Sequence, residues 1–451
     1  MKITKGLENV IYRGGTNEEL CWGKVQFPKA YEMPNGNMGL FVHEDDDCAA
    51  ALDIDPIGKW FVSEDKGKTW RVATEKDKGE MGTILPNGDV MRPLAGAPIK
   101  IPGAKKSPWY FGNARVPTDD EIMRPVPEEE NCLPNPITAV TTVFGGRHEI
   151  FWVDSIREEM IDKRFAFRRK KKNAEQAEIY HTVPDWKYRL TYSFEPWYNG
   201  QSLNEIMLYY PGLYHCRTIK VAPDGALYLA HYVPYGTGSN PFTGLYEKNS
   251  ASYIFKSTDN GESWKVVGYI PYKFPDEQKD KFAYLKEGFV EPDLEFMPDG
   301  SILCILRTCE VFQGAPEWGP TYLSRSTDKG ASWSIPEYFA DRGALPKLLQ
   351  LKNGITLAVI TRPGIYIYAS NDSGKTWTNA LEIMTDKDRS HLANVVPEKP
   401  NFHQWCGSCC NCDIKAIDDN KAILFFSDFY IPDENGVKRK GVKSIEILTE
   451  N

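Results

Sequence analysis

The sequence predicts an all-β protein, a β-propeller of four-stranded antiparallel blades with six or seven blades, and two observations lead to this fold class. First, an eight-residue string of the form SxDxGx(T/S)W occurs four times, at residues 63–70, 257–264, 326–333 and 370–377. Second, short apolar runs separated by Pro, Asp, Asn and Gly turns recur along most of the chain. A repeated four-stranded unit with regular turns is typical of a radial array of small sheets.

Residues 289–333 contain one complete unit and justify the prediction strand by strand. Residues 290–297 and 301–307 are apolar runs, and Pro298-Asp299-Gly300 between them supplies the positive-φ turn of a tight hairpin. Residues 322–326 predict a third strand, and the string at 326–333 turns the chain back into a fourth. In that string the Asp can bond amides of its own turn, the Gly takes the left-handed conformation, and the Trp packs over the loop.

The count of hairpins of this kind gives the expected number of blades. Seven are recognisable, at residues 26–43, 81–93, 138–154, 215–232, 289–308, 345–361 and 412–429. Residues 9–13 predict a strand that completes the last blade and closes the ring. The charged segment 155–178 is interpreted as a helical insertion, followed by a strand around 186–194. We therefore predict a single domain, 1–451, with an insertion or irregular blade segment at 155–210.

Composition limits the partners of the protein. A formal net charge of −8 over 451 residues argues against nucleic acid as a main partner. The dense basic run at 168–172 is interpreted as a solvated loop or helix face. No apolar stretch is long enough to span a bilayer, so no membrane partner is expected. The first residues, MKITKGLENVIYRGG, lack the apolar run of an export signal, which predicts a reduced, cytoplasmic location, with a secreted mature form as the alternative.

The four strings resemble the Asp boxes (BNR repeats) of the sialidase superfamily, and the chain is interpreted as a divergent sialidase-like member. The resemblance implies six blades, with the boxes on the outer rim. It also implies a funnel at one face, where residues at the starts of the innermost strands converge. In sialidases that funnel carries three arginines for the substrate carboxylate, a tyrosine nucleophile paired with a glutamate, and an aspartate acid/base.

When the sialidase site is matched to this sequence position by position, about half of its residues are present. The glutamate precedes a proline, as Glu291 does here, and the second arginine ends the same hairpin, as Arg307 does. Arg362 begins the strand that leads into a box and matches the third arginine. The first arginine stands two residues before a proline, where this chain has Gln26. The tyrosine position falls near Asn411, and no tyrosine stands there.

Further candidates come from the acidic loop and the histidines. A glycosidase needs a second carboxyl group, for which Asp53 is the first candidate and Asp47 the second, although their run is also what a solvated loop requires. His215 and Arg217 precede another inner-strand turn and are candidates for a proton carrier and an anchor, against plain packing roles. His403 is a candidate substrate-binding residue.

A cluster of cysteines raises the question of a metal. The cluster comprises Cys406, Cys409, Cys410 and Cys412, and C-x-x-C spacing suits zinc. Structural zinc sites generally use two separated pairs, however, and no second pair stands nearby in the sequence. We therefore favour free thiols near the axis over zinc or a disulfide, and expect no metal and no cofactor.

Three functions fit these observations. The first is a glycoside hydrolase acting on an oxygen-rich, acidic sugar, since arginine offers a planar fork to a carboxylate or sulfate. The second is a non-catalytic glycan-binding propeller, which the missing tyrosine favours. The third is a polysaccharide lyase with His215 as its base. The sequence leaves the sugar, the linkage and the oligomeric state open.

Overall fold

The structure is a computed structural model. It describes residues 1–16, 19–20, 23–44, 57–94, 99–101, 120, 135, 138–141, 147–152, 165–185, 191–194, 197–198, 201–202, 206–209, 218–232, 251–270, 272–273, 288–308, 319–362, 364–385 and 412–450.

Six four-stranded antiparallel sheets follow one another along the chain and confirm the predicted propeller. Blades 1 to 3 consist of Gln26–Glu32, Met38–His43, Gly58–Ser63 and Arg71–Val72; Thr83–Ile84, Val90–Pro93, Phe165–Lys170 and Glu178–Thr182; and Lys220–Val221, Leu227–Tyr232, Ser252–Ser257 and Lys265–Ile270. Blades 4 and 5 consist of Phe289–Phe296, Ile302–Thr308, Thr321–Ser326 and Glu337–Ala340; and Lys347–Gln350, Thr356–Thr361, Ile365–Ser370 and Leu381–Met384. Blade 6 consists of Cys412–Asp418, Lys421–Pro432, Lys438–Glu450 and Lys2–Arg13.

Blade 6 closes the ring with a strand from each end of the chain. Its outermost strand, Lys2–Arg13, pairs antiparallel with Lys438–Glu450, with Lys2 opposite Glu450 and Arg13 opposite Gly441. This is the closure that residues 9–13 predicted, and the strand is longer than expected. The two ends of the given sequence are therefore held by a ladder of backbone hydrogen bonds, whose register shifts between Lys5 and Glu8 and between Val10 and Tyr12.

An accessory sheet explains why seven hairpins give six blades. The hairpin Thr138–Thr141 and Arg147–Trp152 belongs to a five-stranded sheet with Thr191–Phe194, Ile206–Tyr209 and Ile99–Ile101, outside the blades. A separate ribbon pairs Trp197–Tyr198 with Gln201–Ser202. Residues 94–164 are thus inserted between the second and third strands of blade 2.

Blade 2 also corrects two expectations about the charged segment. The helical interpretation of 155–178 is wrong where the structure describes it, because Phe165–Lys170 is a strand paired with Val90–Pro93. The solvated face expected for 168–172 is wrong for Arg169, which is buried between Asp89 at 2.8 Å and Glu262 at 2.6 Å. Arg168 and Lys170 line a groove of about 1100 Å³ between blades 1 and 2.

The hydrophobic core lies between neighbouring blades, where the faces of adjacent sheets meet. Between blades 2 and 3, the ring of Phe167 stacks on that of Trp264 at 5.6 Å and the ring of Phe165 meets that of Phe255 at 5.0 Å. Within the described ranges no helix is long and apolar enough to cross a bilayer, and the helix Glu75–Gly79 has five residues.

The four SxDxGx(T/S)W turns share one hydrogen-bond pattern. In blade 3 the Ser257 hydroxyl donates to Asp259 at 2.7 Å and accepts from the Gly261 amide at 2.9 Å, and both bonds recur in the other three turns. Each turn joins the third strand to the outermost strand of blade 1, 3, 4 or 5. The turns therefore lie at the outer rim, as predicted, away from the axis.

These turns make stability depend on pH through their aspartates. The hydroxyl and amide of Thr69 donate to Asp65, and with further bonds from Ser63 and Lys68 they lower the pKa of Asp65 to about 2 from its ordinary 3.8. A carboxyl group whose pKa is lowered in the folded state contributes stability at pH values above its ordinary pKa. This contribution is lost as the pH falls through the pKa of the folded state.

We expect Asp65→Asn to lower the melting temperature near neutral pH, and the difference from wild type to shrink as pH falls from 3.8 towards about 2. Thermal unfolding of both proteins across this range provides the measurement. A difference that stays constant with pH would show that the shape of the turn, and not the charge of Asp65, carries the effect.

Candidate functional site

The first strand of each blade surrounds the axis, and the beginnings of these strands define one face of the propeller, here called the strand-start face. Contacts between first strands fix this arrangement. The amide of Ala30 in blade 1 donates to Asp413 in blade 6 at 2.8 Å, and the amide of Leu348 in blade 5 donates to Asp293 in blade 4 at 2.8 Å. The strand-start face is where the sequence places the funnel.

Blades 1, 4 and 5 begin with the same unusual backbone conformation. Phe27, Glu291 and Leu345 each stand directly before a proline and have positive φ values of 48°, 49° and 46°. In blades 1 and 4 the strand register shifts across this position, which is a β-bulge. A positive φ costs a non-glycine residue roughly 1–3 kcal/mol and persists only where the surroundings impose it. Because it recurs in three blades, the conformation belongs to the architecture of the face.

Glu291 and Arg307 meet at the strand-start face. Arg307 Nη1 lies 2.8 Å from Glu291 Oε2, and both residues are mostly buried, at 7% and 9% exposed. The amide of Leu345 in blade 5 donates to the same oxygen at 2.8 Å. The two residues that the sequence singled out thus form an ion pair within blade 4. Hydrogen bonds from both donors favour the negatively charged form of Glu291. This form suits a base or an anchor rather than a proton donor.

Arg362 directly follows Thr356–Thr361, the second strand of blade 5. It follows Thr361, whose hydroxyl donates to the carbonyl of Ala344, and Ala344 precedes the Leu345 that bonds Glu291. Arg362 is buried, has a positive φ of 51°, and its amide donates to Gly364 O at 2.9 Å. The backbone contacts therefore bring the predicted third arginine to the same face as Glu291.

Gln26 begins blade 1 and is fully buried, opposite His43 in the strand pairing. His43 was not among the candidates from the sequence. Its Nδ1 lies 3.0 Å from Gly23 O, and its ring meets that of Phe27 edge-on at 5.8 Å. The signal that could have found it is its place at the end of the first hairpin, which corresponds to the place of Arg307 in its own hairpin.

Six candidates lie outside the described residues, and their assignments stay predictions: Asp47, Asp53, His215, Arg217, His403 and Asn411. Of the cysteine cluster the structure describes only Cys412, which is buried at the start of a blade 6 strand. In the described part of the chain, no group of three or more His, Cys, Asp or Glu side chains is arranged to hold a metal ion.

Below the face, buried and half-buried charged side chains from several blades lie close together near the axis. This axial charge network comprises Lys220, Asp293, Glu295, Lys347 and Asp413. Lys347 lies 3.2 Å from Asp413, and Lys220 lies 2.9 Å from Glu295. Burial opposes the charge of Lys220, but the carboxylates of Asp293 and Glu295 outweigh it and raise the pKa of Lys220. The network joins blades 3, 4, 5 and 6 and so fixes the inner strands that carry the site.

Comparisons with known proteins bear on the fold. No protein-family model matches the chain, and no curated protein does. Among solved structures, a protein of unknown function from Dyadobacter fermentans matches over 99% of both chains, with 13% identity and a TM-score of 0.52. An α-L-arabinanase of Penicillium chrysogenum complexed with arabinobiose matches over 98% of both chains, with 11% identity and a TM-score of 0.46. A Hadza microbial sialidase matches over 97% of this chain and 68% of its own, with 13% identity and a TM-score of 0.44.

The protein is thus a six-bladed β-propeller. The structures to which it is similar include an arabinanase and sialidases, at identities between 10% and 13%. Likeness at that level concerns the fold, and the function of a propeller depends on the residues of its site.

Proposed function

We propose that the protein is a glycoside hydrolase of sialidase-like type that binds an oxygen-rich, acidic sugar at the strand-start face. The observation that carries the proposal is the Glu291 carboxylate, fixed by Arg307 and by the Leu345 amide at 2.8 Å each. A carboxylate held in place by two donors is pre-organised to act as a base or to stabilise positive charge that develops on a sugar ring.

The second carboxyl group is proposed to come from the loop between Met38–His43 and Gly58–Ser63. Both ends of this loop are anchored to each other, since the Glu44 amide donates to Ile57 O at 3.0 Å. The anchor directly follows His43, which pairs with Gln26 at the strand-start face. Asp53, with Asp47 as the second candidate, is therefore proposed as the proton donor.

Arg362 and Gln26 are proposed to set what the site prefers. A guanidinium holds a carboxylate or sulfate, whereas the neutral amide of Gln26 offers both a donor group and an acceptor oxygen to a hydroxyl. With Gln26 in place of an arginine, the site should bind a carboxylate more weakly than a site with three arginines would. We therefore propose a substrate with a single acidic or strongly polar group, and weak or absent activity on ordinary α-sialosides.

A glycan-binding propeller without catalysis is the second candidate, and the lack of a tyrosine near Asn411 favours it. Incubation with p-nitrophenyl glycosides of glucuronic acid, galacturonic acid, arabinofuranose and N-acetylneuraminic acid, and with acidic oligosaccharides, separates the candidates. We expect cleavage of an acidic sugar other than the sialoside. Binding without any cleavage would indicate the glycan-binding protein, and a product with an unsaturated ring that absorbs in the near ultraviolet would indicate a lyase with His215 as its base.

Replacement of Arg362 tests the charge preference. Arg362→Ala should raise KM for the acidic substrate by about ten- to a hundredfold, because a charge-assisted hydrogen bond contributes roughly 1.5–3 kcal/mol. The KM for the neutral analogue, in which a hydroxymethyl group replaces the carboxylate, should change far less. Steady-state kinetics on the matched pair of substrates measures this, and equal changes on both would mean that Arg362 only supports blade 5.

A further inference from the structure

Blades 1 and 4 present matching positions to the strand-start face. In blade 1, Gln26 pairs with His43 and the register then shifts before Lys29. In blade 4, Val290 pairs with Arg307 and the register shifts before Asp293. Counted from the same bulge, His43 therefore occupies in blade 1 the position that Arg307 occupies in blade 4.

The side-chain contacts of His43 and Arg307 show the same correspondence between blades 1 and 4. Arg307 reaches the positive-φ residue of its own blade, Glu291, at 2.8 Å. His43 likewise reaches the positive-φ residue of its blade, Phe27, with ring centroids 5.8 Å apart at an angle of 83°. Blades 1 and 4 stand opposite each other in a ring of six, so His43 and Arg307 lie on opposite sides of the axis.

The hydrogen bonds of His43 determine which ring nitrogen is available. A carbonyl oxygen only accepts, so the 3.0 Å contact with Gly23 O requires the proton to be on Nδ1. In the neutral ring Nε2 then carries a lone pair. Nε2 is buried in a residue that is 4% exposed, and among the residues that the structure describes it has no hydrogen-bond partner.

We propose that His43 is a substrate-binding residue whose Nε2 accepts a hydrogen bond from a hydroxyl of the bound sugar. This inference rests on the proposed function and names a second contact of the same site. A carboxylate has no proton to give to Nε2, so the acidic group of the sugar binds on the arginine side and a hydroxyl faces blade 1. Phe27 and Phe41, with ring centroids 5.8 and 6.3 Å from that of His43, hold the imidazole in this orientation.

Two substitutions separate binding from a structural role. The amide nitrogen of Asn can take the place of Nδ1 and keep the bond to Gly23 O, but nothing in Asn replaces Nε2. The longer Gln can place its carbonyl oxygen near the position of Nε2, but loses the bond to Gly23 O. We expect His43→Asn to weaken sugar binding by about tenfold, the loss of one net hydrogen bond, with a melting temperature near that of wild type. His43→Gln should bind within a few-fold of wild type and melt at a lower temperature.

Titration calorimetry with D-glucuronic acid, D-galacturonic acid and N-acetylneuraminic acid, beside thermal unfolding, measures both effects. Loss of affinity in His43→Gln but not in His43→Asn overturns the inference and leaves the proposed function standing, as does unchanged affinity in both. Failure of the wild-type protein to bind any of these sugars overturns the proposed function and the inference together.

The tautomer offers a test that needs no sugar. In ¹⁵N-histidine spectra of the free protein, the resonance that disappears in His43→Asn identifies His43 among the seven histidines. The expected result is the tautomer protonated at Nδ1. Protonation at Nε2 in the neutral ring would remove the acceptor and refute the inference directly.

Discussion

Glu291→Gln is expected to lower kcat by about 10²- to 10⁴-fold on the substrate identified by the glycoside panel, the typical range for loss of an acid–base group. The amide keeps the size of the carboxylate and still accepts from Arg307 and Leu345, whose atoms lie 2.8 Å from Glu291 Oε2. It lacks only the charge, so the melting temperature should fall little. Steady-state kinetics and thermal unfolding on the same preparations provide the measurement.

Arg307→Gln is the matched control, because it breaks the same ion pair from the other side and leaves the carboxylate in place. A catalytic Glu291 predicts that Arg307→Gln retains much more turnover than Glu291→Gln and mainly raises KM. If Glu291→Gln keeps its kcat but its free energy of unfolding falls by about 3–5 kcal/mol, as is typical when a buried ion pair is broken, Glu291 is a structural residue only.

The largest loss of stability is expected from Asp413→Ala, by about 3–5 kcal/mol in denaturant unfolding. Asp413 is buried, yet Lys347 and Lys415, with the amide of Ala30, outweigh the burial and lower its pKa. Its carboxylate joins blade 6 both to blade 1, through that amide at 2.8 Å, and to blade 5, through Lys347 at 3.2 Å. Removing it leaves the buried ammonium of Lys347 without its carboxylate.

A surface pair between the same two blades supplies the comparison. Lys352 and Asp419 lie 3.7 Å apart with side chains 86% and 71% exposed, so Asp419→Ala should change stability little. Adding Lys347→Met to Asp413→Ala should recover part of the loss, since no buried charge then stands alone. Equal effects of Asp413→Ala and Asp419→Ala would show that the axial charge network does not hold the inner strands together.

Local sequence patterns predicted most blades because their strands and turns are adjacent in the chain. The four SxDxGx(T/S)W turns identify blades 1, 3, 4 and 5 correctly. Blade 2 was not resolved from sequence, because its second and third strands are separated by residues 94–164. The hairpin of Thr138–Thr141 and Arg147–Trp152 has the pattern of a blade, but a hairpin does not itself indicate which sheet it joins.

The same distinction between local and non-local information applies to the site. Glu291 and Arg307 belong to one hairpin, so their positions relative to its turn sufficed to single out both residues, although the ion pair between them was not predicted. His43 was missed because its match to Arg307 depends on the strand register and the bulge, which residue types do not reveal. The ion pair of Lys347 with Asp413 spans two blades, so it could not be derived from either segment alone.

The strand Lys2–Arg13 is separated from its partner strand by a long interval during synthesis of the chain. It is synthesised long before its partner Lys438–Glu450, so at about 5–20 residues per second the strand waits on the order of 20 to 90 s. During that time its backbone is an unpaired edge, the kind of segment that pairs with other chains. Its cationic side chains, Lys2, Lys5 and Arg13, are of the kind that protects such edges. Blade 6 can therefore be completed only after Lys438–Glu450 has been synthesised, and until then the charges of Lys2–Arg13 oppose its pairing with other chains.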